Sequence, residues 1–345
     1  MMMVVLILGG FVLLFVGGEA LVRGSVGIAR KFGMSELVIG LTLVGFGTSL
    51  PEMVTSLQAL SEGAVGLSVG NVIGSNVANI LLVLGAAALV APILTSPRAL
   101  ARDGLFMLAV TVLFACLLWL DLFTRLTGAL MFALLIGYLI MSVILDRRSD
   151  SAAGGVHSDE AAEFESDDPT WLSALLALGG IIGVVIGARF LVDGGTDAAR
   201  LLGVSETVIG ISVLAIGTSL PELATSVVAA RKGNADVALG NILGSNIFNI
   251  LGIMGVSAMV FPFSIHTGVE AAGVPLEVAA MAYEQLGSLV TWTDMGALGL
   301  SVFLLGLFAY TGRKLARWEG AILLLSYLVY LGLRFDLLPA ISLGA

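Results

Sequence analysis

Two stretches of this chain are near-copies of each other, and each carries a glutamate inside an otherwise apolar segment. Residues 33–81 contain GFGTSLPEMVTS followed by GNVIGSNVANIL, and residues 203–251 contain AIGTSLPELATS followed by GNILGSNIFNIL. The copies are offset by 170 residues without a gap, and 24 of the 49 paired positions are identical. Because Glu52 and Glu222 occupy matching positions, the duplication predicts one site assembled from two related halves.

The amino-acid composition places both copies in a membrane. The 345 residues are 58% hydrophobic and only 12% charged, whereas a typical soluble domain has about 25% charged residues. Apolar runs of the roughly 20 residues that cross a bilayer recur along nearly the whole chain. We therefore predict an all-α integral membrane protein with ten transmembrane helices. The predicted spans are 3–23, 36–60, 66–91, 104–120, 126–145, 171–192, 206–230, 236–262, 296–311 and 318–338.

An acidic segment without apolar periodicity divides the chain into two halves of similar length. Between Asp146 and Pro169 the sequence has eight acidic and two basic residues, a composition typical of a solvated linker. We predict a first five-helix half over residues 1–145, an acidic linker over 146–170 and a second five-helix half over 171–345. Each half then contains one copy of the repeat.

Basic residues are concentrated in the loops that follow the odd-numbered predicted spans. These loops contain eleven of the sixteen lysines and arginines, and an excess of basic residues is typical of cytoplasmic loops. We therefore predict a multi-pass protein of the cell membrane, with the N-terminus outside and the acidic linker in the cytoplasm. Five spans per half give the two repeats opposite orientations, which is an inverted repeat of the kind common in secondary transporters.

The loop inside each copy of the repeat supports the opposite orientations. Residues 61–63 of the first copy read SEG, and the matching residues 231–233 of the second copy read RKG. The charge of the loop is reversed, whereas the membrane-embedded motif around it is preserved. This is the pattern expected when the two loops lie on opposite sides of the membrane.

The second half contains an insertion between predicted spans eight and nine, within residues 263–294. The offset between the halves grows from 170 to 192, where Tyr138 aligns with Tyr330. Three acidic residues of the insertion recur every seven positions and therefore share one face of a predicted helix on the outer surface. We interpret them as a solvated face, with a cation-attracting surface as the alternative.

The first element of each copy, G-T-S-L-P-E at residues 47–52 and 217–222, is expected to break a helix. Proline removes a backbone donor and clashes with the preceding turn, so carbonyls just upstream lose their helical partners. Hydroxyl, carbonyl and carboxylate oxygens then lie within one turn, and hard cations prefer such oxygen ligands. Because irregular backbone at membrane depth is tolerated only where it is buried or lines a cavity, we predict a cation site at these two breaks.

The second element of each copy, G-N-x-x-G-S-N-x-x-N, begins 18 residues after each glutamate. On a helix, Asn71, Ser75 and Asn79 share one face because they are four residues apart, and the second copy repeats this stripe. Small and polar residues also hold membrane helices together. Packing between helices is therefore the alternative interpretation of the stripe, most of all for Asn76 and Asn246 at its edge.

The two glutamates are difficult to explain by packing alone. A charged side chain at the centre of a bilayer costs roughly 2.5–3.5 kcal/mol on insertion scales, and this cost occurs twice at matching positions. No basic residue lies in the same helices to pair with either glutamate. The counter-charge is therefore expected to be a bound cation or protons.

Both elements, their order and their duplication resemble the α-repeats of the calcium/cation antiporter superfamily, and the prokaryotic type of sodium/calcium exchanger in particular. The resemblance implies that Ca²⁺ is exchanged for Na⁺ by alternating access, with Glu52 and Glu222 binding Ca²⁺ near the midplane. It further implies a monomer in the lipid bilayer that is not an enzyme, requires no cofactor besides the transported ions and binds no nucleic acid.

The resemblance also implies further ligands for the ions. Hydroxyl, amide or backbone carbonyl oxygens are expected from Thr48, Ser49, Thr218, Ser219, Ser75, Asn79, Ser245, Asn249, Gly45 and Ala215. Some prokaryotic relatives have an aspartate at the position of Asn249. Here both equivalent positions are amides, so the predicted pocket contains two carboxylates and no third.

Three alternatives remain from the residues themselves. The same fold can couple Ca²⁺ to protons, with both glutamates titrating. A passive cation channel is less consistent with inverted repeats, which permit alternating access within one chain. A hydrolase built on Ser49 or Ser219 is disfavoured because the two histidines, His157 and His266, lie in the linker and the outer loop.

The single cysteine, Cys116, excludes an internal disulfide.

Overall fold

Long apolar helices dominate the chain, as its hydropathy predicts. The structure is a computed structural model, and it describes residues 2–94, 97–152, 169–201, 217–264, 268–269, 292–311 and 314–334. The helices are α1 (Met2–Phe32), α2 (Glu36–Thr48), α3 (Leu50–Ser61), α4 (Val65–Val90), α5 (Pro97–Leu120), α6 (Arg125–Ala152), α7 (Thr170–Leu201), α8 (Leu220–Arg231), α9 (Ala235–Val260), α10 (Trp292–Thr311) and α11 (Arg317–Arg334).

Several of the described helices meet the requirements for crossing a membrane. Six of them, α1, α4, α5, α6, α7 and α9, are long and apolar enough, and the bent pair α2–α3 adds a seventh candidate span. Large apolar side chains such as Leu105, Ile140 and Leu178 are more than half exposed on the outer faces of these helices. Such faces suit contact with lipid, and the chain is therefore a multi-pass helical membrane protein. Of the predicted span 206–230, only residues from Gly217 onward lie in the described part.

The helices α1 and α7 pack against each other along most of their length. Glycines allow this close approach: a Cβ atom added at Gly17 would lie 2.8 Å from the backbone nitrogen of Val184, and one added at Gly187 would lie 2.7 Å from that of Leu14. Small residues at such positions are typical of membrane helices whose backbones nearly touch. Gly17 and Gly187 are related by the 170-residue offset, so this helix pair follows the internal symmetry of the chain.

Short strand pairings connect the two halves and also follow that symmetry. Ile93 pairs with Leu315, and Phe263 forms a bridge with Phe123. Phe263 corresponds to Ile93 by the offset of 170, and Leu315 corresponds to Phe123 by the offset of 192. The two pairings are therefore related by the internal symmetry of the chain. The short strands are β1 (Ile93–Leu94), β2 (Phe263–Ser264), β3 (Gly268–Val269) and β4 (Lys314–Leu315).

The segment between the halves is helical at its start. α6 continues to Ala152, beyond the predicted end of its span at residue 145. Asp146 accepts a hydrogen bond of 2.6 Å from the backbone nitrogen of Ser35, which precedes α2. Residues 153–168 of the predicted linker, residues 270–291 of the insertion and both histidines lie outside the described residues.

Candidate cation site

Both copies of G-T-S-L-P-E produce the same local backbone geometry. α2 ends at Thr48, and Ser49 has φ −84° and ψ 4° before α3 begins with Pro51 in its first turn. Ser219 has φ −87° and ψ 3° at the start of α8. The axes of α2 and α3 differ by 43°, so the first copy breaks its helix as predicted. Each glutamate lies in the first turn of the helix that follows its motif, and residues 202–216, which precede the second motif, lie outside the described residues.

Wider, π-helical turns occur in the helices around these breaks. In α2 the π-helical segment is Gly40–Val44, in α4 it is Asn79–Leu84 and in α9 it is Phe248–Ile253. Asn79 and Asn249, two of the predicted ligands, lie within these segments. π-Helical turns frequently mark functional sites because they rotate side chains out of the regular helical register.

Glu52 of α3 and Glu222 of α8 are both completely buried. Ser49 donates a hydrogen bond of 3.1 Å to Glu222 Oε1, and Ser245 donates to the same oxygen at 3.5 Å. Among the described residues, neither carboxylate oxygen of Glu52 has a hydrogen-bond partner, and Glu222 Oε2 has none either. Three buried carboxylate oxygens therefore have no donor from the described protein.

Hydrogen bonds between the halves bring the neutral oxygens to the same place. Thr48 Oγ1 donates to Asn241 Oδ1 at 3.1 Å. Ser245 Oγ, whose one hydrogen can go to Glu222 or to this carbonyl, lies 3.3 Å from the carbonyl oxygen of Gly45. Asn249 Nδ2 donates to Ser75 Oγ at 3.1 Å. Each of these contacts joins the first half of the chain to the second, so the site is shared between the repeats.

Two asparagines that we did not predict as ligands fix the glutamate-bearing helices in place. Asn71 donates to the backbone carbonyl of Glu52 at 3.2 Å and to Ser56 Oγ at 2.9 Å. Its counterpart Asn241 donates to the carbonyl of Glu222 at 3.5 Å and to Ser226 Oγ at 2.9 Å. The matching contacts indicate that the polar stripe holds neighbouring helices together and also positions the helices that carry the glutamates. The G-N pair that repeats in both copies was the sequence signal for this positioning role.

Close packing of α2 on α9 supports the site from behind. A Cβ atom added at Gly45 would lie 3.0 Å from the backbone nitrogen of Ser245, and one added at Gly244 would collide with the carbonyl of Leu41. Glycine at these positions lets the two backbones approach closely. Thr48 of one half therefore lies within hydrogen-bonding distance of the polar stripe of the other half.

The structure gathers most of the predicted ligands into one region. The buried ones are Glu52, Glu222, Thr48, Ser49, Ser219, Ser75, Ser245, Asn79, Asn249 and Gly45. Thr218 is half-buried, and Ala215 lies outside the described residues. Asn246 donates to the carbonyl of Ile242 in its own helix at 2.9 Å, and its Oδ1 has no partner among the described residues.

The donor set has the chemistry of a hard-cation site. Among the described residues, no group of three or more histidine, cysteine, aspartate or glutamate side chains could hold a metal ion. Any ion here would therefore be held by two carboxylates together with hydroxyl, amide and carbonyl oxygens, which are ligands of Ca²⁺ and Na⁺ rather than of thiophilic metals. Buried carboxylates at breaks in membrane helices are typical of the ion sites of secondary transporters, and this is the class of protein that the fold and site define.

Comparison with known proteins gives the family. The chain matches the model of the family described as sodium/calcium exchanger protein over residues 2–144 and 172–335. The chain belongs to this family. Its predicted resemblance to the exchangers is thereby confirmed.

Relatives extend over nearly the whole chain. The sodium/calcium exchanger MaX1 of Methanosarcina acetivorans is 34% identical, with 96% of this chain and 97% of the relative covered. The putative antiporter CaxA of Alkalimonas amylolytica is 35% identical, with coverage of 96% and 98%. The structure is similar to that of the sodium-calcium exchanger NCX_Mj soaked with 10 mM Na⁺ and zero Ca²⁺, with a TM-score of 0.76, 33% identity and coverage of 96% and 98%.

Proposed function

We propose that this protein exchanges Ca²⁺ for Na⁺ across the membrane by alternating access, with Ca²⁺ bound between Glu52 and Glu222. The observation that carries the proposal is that two completely buried carboxylates, one from each half of the chain, lie among oxygens that the halves supply jointly, with Ser49 of the first motif hydrogen-bonded to Glu222 of the second. Family membership and the likeness to MaX1 and NCX_Mj, which are named as sodium/calcium exchangers, support it.

The proposal includes the architecture predicted from the sequence. Ten spans form two inverted five-helix halves, residues 1–145 and 171–345, and the linker 146–170 lies in the cytoplasm with the N-terminus outside. The repeats 33–81 and 203–251 then face each other across the middle of the membrane. The pairing of strands between halves and the contacts between α2 and α9 support this arrangement.

The proposed ligand set contains charged and neutral oxygens with different roles. The carboxylates of Glu52 and Glu222 balance the charge of one Ca²⁺ ion. The neutral ligands are Thr48, Ser49, Thr218, Ser219, Ser75, Ser245, Asn79, Asn249 and the carbonyls of Gly45 and Ala215. Asn79 and Asn249 carry no charge, so only the two glutamates compensate bound cations. Any sodium ion beyond the second, held by the neutral oxygens, therefore leaves the site with a net positive charge.

This charge balance predicts electrogenic exchange driven by sodium. Two Na⁺ ions leave the two-carboxylate site neutral, and a third, held by oxygens such as those of Asn79 or Ser245, leaves it net positive. In proteoliposomes loaded with Na⁺ and diluted into Na⁺-free medium, we expect rapid uptake of radioactive calcium. Because more positive charge leaves than enters, an inside-positive potential set with potassium and valinomycin should accelerate the uptake.

An imposed pH gradient without a sodium gradient is the matched control and should drive little uptake. Uptake that follows the pH gradient and is insensitive to both sodium and voltage would establish proton coupling through the same two glutamates. Ca²⁺ flux that needs no counter-ion gradient, and is not stimulated by one, would indicate a passive channel.

A further inference from the structure

A charged pair outside the candidate site links α1 to the loop that follows α8. Lys232 Nζ lies 2.7 Å from Glu19 Oε1, with 35% of the lysine side chain and 49% of the glutamate side chain exposed. Next to this pair, the guanidinium of Arg231 lies 5.5 Å from the ring centre of Phe15 in α1. The last residue of α8 and the first residue of the loop after it therefore contact α1.

The internal symmetry of the chain provides a second pair of complementary charges. The 170-residue offset relates Glu19 of α1 to Arg189 of α7, and it relates Lys232 to Glu62 in the loop after α3. Both charges are reversed, so Glu62 and Arg189 can attract each other as Lys232 and Glu19 do. Loop orientation accounts for the sign at position 62, but Arg189 lies inside a membrane helix and needs a different explanation.

The second pair is not formed in this structure. Among the described residues, Arg189 makes no ion pair, and Glu62 accepts a hydrogen bond of 3.0 Å from Gln58 in the last turn of α3. Both residues are exposed. One symmetry-related pair is therefore closed, and the other is open.

The helix interfaces show the same asymmetry. α1 packs on α8, where Gly18 approaches Val228 and Ala224. Val228 is 5% exposed and Ala224 is half-buried, but their counterparts in α3, Gln58 and Val54, are exposed, Val54 to 62%. Among the described residues, α7 has no interface with α3 comparable to that of α1 with α8.

We propose that Glu19–Lys232 and Glu62–Arg189 are alternating latches that hold the α1–α7 pair in the two opposite states of the transport cycle. When α1 lies on α8, the first pair is closed; when α7 lies on α3, the second pair closes and the first opens. This inference rests on the proposed alternating access. Alternating access requires the two states to be nearly balanced in free energy, and equivalent ion pairs on the two faces provide that balance.

Cross-linking tests the alternation directly. In a Cys116→Ser background, two cysteine pairs are introduced, Glu19→Cys with Lys232→Cys and Glu62→Cys with Arg189→Cys, each alone and then both together. Because each ion pair is made by the tips of two long side chains, and a direct disulfide requires Cα atoms within about 7 Å, the cysteines are joined with a bis-methanethiosulfonate reagent about as long as the ion pair. We expect this cross-link to form in either pair, to stop calcium uptake and to be reversed by reductant. In the four-cysteine protein, locking the first pair should suppress formation of the second. The pair Arg125→Cys with Lys232→Cys, taken from an unrelated position on α6, is the control and should not cross-link.

Charge variants test the contribution of the ion pair itself. Exposed ion pairs have modest energies, so Lys232→Glu should raise cross-linking of the Glu62→Cys/Arg189→Cys pair only about two- to five-fold. Restoring the attraction with the double change Glu19→Lys and Lys232→Glu should return cross-linking to its original level. Arg125→Glu, an exposed reversal of charge away from α1 and α7, should leave it unchanged.

Two outcomes would overturn the latches: no cross-link between positions 62 and 189 under any ion condition, or both cross-links on the same molecule. The cross-links are read on a gel without any transport measurement. Mutually exclusive cross-links in a protein that shows no sodium-driven calcium uptake would therefore reject the proposed exchange and leave the alternation standing. Normal exchange without exclusive cross-links would reject the latches alone.

Discussion

Replacing Glu52 or Glu222 with glutamine is expected to abolish calcium uptake while the protein still folds and inserts. Glutamine has nearly the same shape, but it removes one of the two charges that balance Ca²⁺. Breaking a buried charge pair by removing one partner costs about 3–5 kcal/mol, which corresponds to a loss of affinity of more than a hundred-fold. Glu52→Gln removes no hydrogen bond to the described protein, because the carboxylate oxygens of Glu52 have none. In Glu222→Gln the amide oxygen can still accept the hydrogen bond from Ser49.

Sodium-driven uptake of radioactive calcium by the purified variants in proteoliposomes measures this effect. Glu36→Gln is the matched control, because Glu36 lies in the first turn of α2 and away from the break at Ser49. The control should retain uptake close to that of the unmodified protein. Near-normal uptake by either Glu52→Gln or Glu222→Gln would contradict a site that needs both carboxylates.

Gly244→Ala is expected to cause the second large loss, although it changes no charged or polar group. The added Cβ atom would collide with the backbone carbonyl of Leu41, and a backbone atom cannot move aside as a side chain can. Overpacking of this kind typically costs about 1–3 kcal/mol. α2 would be pushed away from α9, which separates Thr48 from Asn241, and apparent calcium affinity should fall by about ten-fold or more.

Gly137→Ala is the matched control for this change. Gly137 lies in the middle of α6, is exposed, and a Cβ atom added there meets nothing within 4 Å. Calcium affinity and thermal stability in detergent should therefore be unchanged in the control. If Gly244→Ala retains the original calcium affinity, the close approach of α2 and α9 is not needed to hold the site.

Much of the site was predictable because a duplication carries geometric information. The repeat of the glutamate together with its glycine, hydroxyl and proline neighbours predicted two broken helices. The first break is present between α2 and α3, and Ser219 has the same backbone angles as Ser49 at the start of α8. The growth of the offset from 170 to 192 also predicted which residues of the two halves correspond. The strand pairings of Ile93 and Phe263 follow both offsets.

The sequence did not predict the contacts that depend on how the two halves fit together. Ser49 hydrogen-bonds to the glutamate of the other half, whereas the symmetry-related hydroxyl of Ser219 has no partner among the described residues. In the sequence the two copies of the repeat look equivalent. In any one conformation of an inverted repeat, however, the two copies make different contacts. Glu52 and Glu222 therefore differ in surroundings that their identical motifs could not distinguish.

The π-helical turns and the role of Asn71 and Asn241 were also outside the reach of sequence patterns. A π-helical turn in α4 or α9 changes the register by one residue, so positions spaced four apart no longer share one face through the whole helix. Asn79 lies where such a turn begins. The spacing of the polar stripe predicted a shared face for Asn71 and Ser75, but the partners of each side chain depend on this local change of register.

The position of a bound divalent cation tests the central claim most directly. Anomalous diffraction from crystals soaked in Sr²⁺ locates the bound ion. Competition of Ca²⁺ with Sr²⁺ for binding shows that Sr²⁺ occupies the calcium site. We expect one ion between α3 and α8, coordinated by carboxylate oxygens of both Glu52 and Glu222, with calcium–oxygen distances of about 2.3–2.6 Å in the Ca²⁺ form. An ion coordinated by the carboxylate of only one half, or bound away from both glutamates, would contradict a single site built from the two repeats.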